Sequence, residues 1–187
     1  MLLDWAFAEA KPMGTSGQIA ADLQARVEAR VQLDQNDRQA LVNGILKRRG
    51  HFVASFLTPG TRWFVGTCSS DSIGSIGLCK WFQGRHQLAG GRVEHFLSLG
   101  ALADGDPNLK TTTPYDPALL FGRPILVSER LEGPWCLVEG THRLVEEYRI
   151  AKNGGFGGPA REVILGVCPS AASWIWWTPP PNPRAAP

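Results

Sequence analysis

One boundary narrows the possible folds of this chain more than any other. Two short apolar runs, Arg123–Glu129 (RPILVSE) and Gly133–Glu139 (GPWCLVE), are joined through Arg-Leu-Glu-Gly, whose glycine opens the second run, and the second stops at Gly140. From Thr141 the spacing changes: Leu144, Val145, Tyr148 and Ile150 recur at helical intervals until Gly154 or Gly155. A switch from strand texture to helical texture across one glycine predicts two strands joined by a tight turn, then a helix. The further apolar run Ala160–Val167 predicts another strand, and Asn153–Arg161, rich in glycine, predicts a connecting loop without Walker spacing.

The amino-terminal part reads differently. Ile19, Leu23, Val27 and Val31 recur every fourth residue, predicting a helix that Ser16 can cap. A second helix is expected over residues 36–49, with Leu41, Ile45 and Leu46 inward and Lys47, Arg48 and Arg49 just before Gly50. Basic residues ahead of a glycine suit a helix carboxyl end, where they oppose the dipole. That accounts for the cluster without nucleic acid. Beyond Gly60 the residues TRWFVGTC predict a strand, SSDSIGSIG a loop or bulge, LCKWF a short strand, and residues 92–102 a short helix. DGDPNLKTTTP reads as a surface loop and YDPALL as a helical turn capped by Asp116. The expected fold is mixed α/β: a small sheet with flanking helices over residues 55–178, a helical region over 1–54, and a proline-rich tail over 179–187.

Composition excludes little but does exclude something. The 187 residues are 43% apolar and 19% charged, with a net charge of +2, which fits a globular chain and sets no strong nucleic-acid field. Cys68, Cys79, Cys136 and Cys168 form no CxxC pair and match no zinc spacing. Cysteines in apolar runs, and a start without signal-peptide character, suit a reducing compartment, so a cytoplasmic protein without membrane contact is expected.

The polar residues around the glycine are the candidate site. A helix amino terminus leaves backbone N–H groups without intrahelical partners and carries partial positive charge, so phosphate fits there. Gly140 permits close backbone approach. Thr141 can cap and donate its hydroxyl. His142 and Arg143 add donors, Arg143 as a bidentate fork. Glu139 can hold a metal ion, bond a ribose hydroxyl or act as a base. A Gly-Thr pair between strand and helix is also an ordinary capped turn, with Glu146 and Glu147 complementing the dipole, and spacing alone leaves both readings open.

The run Gly122–Ile150 (GRPILVSERLEGPWCLVEGTHRLVEEYRI) resembles the ParB/sulfiredoxin-like superfamily. Pro124 to Val127 match its first strand, Leu137 to Gly140 the second, and Thr141 to Arg143 the helix-opening motif; the likeness extends over residues 120–165. The resemblance implies a small α/β fold with a nucleotide-phosphate site at this helix start. It carries over Glu139, Gly140, His142 and Arg143. Thr141 stands where sulfiredoxins place their catalytic cysteine, which sets their chemistry aside. Partition proteins of the family carry Gly-Glu-Arg-Arg rather than Gly140-Thr141-His142-Arg143, whereas its free serine kinases share the acidic residue before the glycine. The expectation is therefore a nucleoside triphosphate, ATP or CTP, with Mg²⁺. Phosphates would lie against Gly140, Thr141, His142 and Arg143. Glu139 and His142 would be catalytic, and Glu139 would hold the metal, in phosphoryl transfer or nucleotide hydrolysis.

Other features bear on a second expectation, a non-enzymatic module binding DNA or a protein. Trp174, Trp176 and Trp177 can stack a base, meet a protein partner or close the core. Ser69, Ser70 and Asp71 can meet a polar ligand but equally form a turn. His86 and His95 lack a third residue at metal-like spacing and read as surface or core histidines.

Overall fold

Ten named elements lie among the described residues, in an order the sequence only partly foretells. In the computed structural model the structure describes residue 6 and residues 21–29, 32–54, 60–78, 98–107, 109, 123–154 and 161–171. The helices are α1 (Ala21–Glu28), α2 (Gln35–Ala54), α3 (Ser70–Ile73), α4 (Leu99–Gly105) and α5 (Thr141–Lys152). The strands are β1 (Arg62–Cys68), β2 (Gly77–Leu78), β3 (Ile125–Ser128), β4 (Cys136–Glu139) and β5 (Arg161–Val167). They form a mixed α/β arrangement, an open five-stranded sheet in the order β1-β5-β3-β4-β2 with flanking helices.

The predicted hairpin forms. β3 and β4 pair antiparallel, Leu126 opposite Leu137 and Val127 opposite Cys136. β5 then lies parallel to β3 on the other side, with Ile125 opposite Ile164, and β1 closes that flank antiparallel to β5. The short β2 extends the opposite edge, parallel to β4. β3 is buried along its length, and so are the first three residues of β4, as central strands should be.

Two helices start or stop elsewhere than expected. α2 runs through Gly50 to Ala54, so Lys47, Arg48 and Arg49 lie within the helix and not at its end. The two internal glycines, Gly44 and Gly50, cost about 1 kcal/mol each, which the inward packing of Leu41 and Leu46 helps to offset. Its other end is capped by the side chain of Asp34, which accepts the Asp37 N–H at 2.8 Å. Arg26 grips the Asp37 carboxylate through both terminal nitrogens, tying α1 to α2. α4 begins at Leu99, so the helix expected over residues 92–102 does not run through Ser98; residues 92–97 lie outside the described residues. Ser98 is extended, bridges to Gly77 and caps the helix through its hydroxyl, which accepts the Ala101 N–H at 3.2 Å. Joining the sheet removes Ser98 from any helix.

The stretch expected to be a loop, Ser69–Gly77, contains the single turn α3. Its Ser72 Oγ donates to the Ser69 carbonyl at 2.9 Å and Ser75 Oγ to the Ser72 carbonyl at 2.8 Å, while Ile73 and Ile76 are buried beneath. Serines that bond to local backbone make such a turn stable without a long helix.

α5 packs by Leu144 and Val145, each fully buried and each stabilising by about 1.5–3 kcal/mol. Tyr148 lies over Gly74, whose missing side chain makes room for the ring. Arg149 donates to three carbonyls at the end of α4 and just beyond it: Ala103 at 3.2 Å, Asp106 at 2.6 Å and Leu109 at 3.3 Å. This supplies the partners that a helix carboxyl end lacks. Ile150, one of the apolar residues of that helical spacing, is 40% exposed, whereas Glu147 is buried. Among the described residues no helix is long and apolar enough to cross a membrane.

Candidate functional site

The turn from β4 to α5 sits at one end of the sheet, where β4 finishes beside the start of β3. Ile125 is opposite Glu139 in the ladder, so the residue before it, Pro124, lies against the turn. Gly140 occupies the cap position with φ +103° and ψ 14°. This left-handed backbone strains any residue with a Cβ. A Cβ there would also stand 3.0 Å from Pro124 Cβ and 3.1 Å from its Cα. Pro124 cannot easily retreat, because its carbonyl accepts the Ile164 N–H at 2.8 Å. The absent side chain therefore accommodates the protein's own proline. The Gly140 carbonyl accepts the Leu144 N–H at 3.0 Å and closes the first helical turn.

The cap falls on Gly140, so Thr141 is the first helical residue and not the cap. Thr141 is half-buried and His142 exposed. Glu139 turns back upon the turn it precedes. Its Oε1 accepts the Gly140 N–H at 2.9 Å, and the same oxygen lies 4.0 Å from Arg143 Nη2. The side chains of Arg143 and Glu139 keep 15% and 25% exposure, so the pair is largely shielded from water. Glu139, Gly140 and Arg143, named together from the sequence, do meet.

For a metal ion the turn offers the single carboxylate of Glu139. Among the described residues no three His, Cys, Asp or Glu side chains come together. Mg²⁺ does not require such a cage; one carboxylate with phosphate oxygens and waters is a usual set. The contacts of Glu139 with Gly140 and Arg143 both use Oε1.

Three side chains near α5 have partners that the sequence did not disclose. Arg123, directly before Pro124, pairs with Glu162 at 3.6 Å. Glu147, read from the sequence as complementing the helix dipole, is buried, and its Oε2 is 3.1 Å from Arg161 Nε. Cys68 lies next to that pair, opposite Arg161 in the β1–β5 ladder, with Sγ 3.3 Å from Ser72 Oγ. Burial pushes the Cys68 thiol upward from its ordinary value. The bond to Ser72 pulls it down, and the Glu147 carboxylate adds a further upward push. A faint signal existed for the pair: an acid on the apolar face of a helix and an arginine opening an apolar strand.

Ser69, at the start of α3, bonds to Ser72 through its hydroxyl at 3.0 Å and serves the turn, while Asp71 is exposed. Lys47 is exposed on α2. The side chains of Ser70, Ile45, Arg48 and Arg49 lie outside the described residues, as do Trp5, Ser16, Cys79, His86, His95, Asp116, residues 155–160 and the tryptophans at 174, 176 and 177.

Comparison with known proteins adds no relative: no protein-family model, curated protein or solved structure matches the chain.

Proposed function

We propose that this chain is a ParB/sulfiredoxin-like α/β protein that binds a nucleoside triphosphate at the start of α5. The observation that carries the reading is the meeting of three residues in one turn. Gly140 caps α5 in a left-handed conformation, and Arg143 and Glu139 face each other across it. A mixed sheet with a strand–glycine–helix crossing is consistent with the family. The resemblance of residues 120–165 names the ligand class.

On this reading the phosphates lie at the amino end of α5, where the helix dipole favours negative charge. Arg143 meets phosphate oxygens, and His142, already exposed, adds a donor. Glu139 would hold Mg²⁺ or the hydroxyl that receives the phosphoryl group. The chemistry is phosphoryl transfer or nucleotide hydrolysis, in which positioning and charge neutralisation supply most of the acceleration. Mg²⁺, when bound, would neutralise charge on the phosphates.

Thermal unfolding with ATP, CTP or GTP, each with and without Mg²⁺, tests the reading. A ligand that binds only the folded state raises the melting temperature by mass action. The expected result is a rise with one nucleotide that disappears in Arg143→Ala. No rise with any of the three would return the turn to a purely structural role.

One observation favours a second reading, a non-enzymatic DNA-binding module. α2 continues past Gly50, so Lys47, Arg48 and Arg49 are no longer accounted for by a helix end. Under this alternative, binding to duplex DNA weakens steeply with salt, and replacing the three residues removes it.

A further inference from the structure

We draw no further inference here: the strongest candidate outside the α5 turn, the buried cluster of Cys68, Glu147 and Arg161 where β1, α5 and β5 meet, is one thiol beside an ion pair already closed at 3.1 Å, and nothing in the structure points to a ligand for it.

Discussion

The Glu139 carboxylate reaches Arg143 across the turn from β4 to α5, with Oε1 4.0 Å from Nη2, while that same oxygen accepts the Gly140 N–H at 2.9 Å. An anion of the protein's own thus occupies the position where the proposed reading puts a phosphate oxygen. Replacing it with a neutral isostere should relieve the competition. Glu139→Gln is expected to bind nucleotide without Mg²⁺ about fivefold more tightly, on the order of 1 kcal/mol, the scale of a charge at a helix end. Equilibrium titration of the two proteins measures it. Weaker binding by the variant would show that Glu139 helps to hold the ligand rather than excluding it.

Arg143 separates recognition from stability. Arg143→Ala removes a shielded partner of Glu139 and should lower the melting temperature by about 2–4 °C, equivalent to about 1 kcal/mol for a chain of this size. Nucleotide affinity should fall at least about tenfold, the loss of one charge-assisted bidentate contact. Arg143→Lys keeps the charge without the planar fork. It should restore most of the stability but little of the affinity. Equal recovery of both would argue that charge alone matters at this position.

Gly140→Ala is expected to destabilise by about 2–3 kcal/mol, from strained backbone together with the Pro124 contact. Gly154 is the control: its φ is +72°, and among the described residues a Cβ there would meet nothing within 4 Å. Gly154→Ala should therefore show the backbone cost alone, about 1 kcal/mol. Urea denaturation of the two variants gives the difference. If they match, Pro124 gives way and the close approach has no energetic weight.

The Glu147–Arg161 pair is held between α5 and β5, with 5% and 23% side-chain exposure. Arg161→Ala leaves a buried carboxylate without this partner and should cost about 3 kcal/mol. Changing both residues to leucine should cost less than Arg161→Ala alone, since the desolvated charge is then gone. Chemical denaturation of the single and double variants decides. A double variant worse than the single one would show that the pair is net stabilising.

Cys68 links stability to alkaline pH. Its thiol is raised in the folded state, first by burial, above the ordinary 9.0 that the unfolded chain retains. Between those two values the folded protein holds a proton that the unfolded chain has released, so stability falls as pH rises. The contribution is complete below about pH 9 and is lost as pH climbs through the folded value. Unfolding free energy measured from pH 8 to 10.5 should decline more steeply for the native protein than for Cys68→Ser. Parallel curves would mean that the thiol is not held up by its surroundings.

Much of the carboxyl-terminal half was readable in one dimension. The runs at β3, β4 and β5, the turn between the first two and the helical spacing of α5 are local patterns. Leu23 and Val27 in α1 likewise showed which face turns inward, and both are buried. The grouping of Glu139, Gly140 and Arg143 follows from the same locality, because a strand running into a helix leaves residues one turn apart on neighbouring positions.

Tertiary structure alone decided the rest, for a common reason: the deciding partner lies far along the chain. Pairing of β5 with β3 rather than β4 set the sheet order. The bridge of Ser98 to Gly77 fixed where α4 could begin. Glu147 reads as a dipole-complementing acid, and its burial became possible only with Arg161 arriving from β5 to neutralise it. Periodicity records a residue's preference for water or core, and that preference yields when folding brings an opposite charge, or a proline such as Pro124, against it. The conformation of Gly140 belongs to both levels: the chain supplied a residue able to turn left-handed, and the fold supplied the neighbour that leaves no room for anything larger.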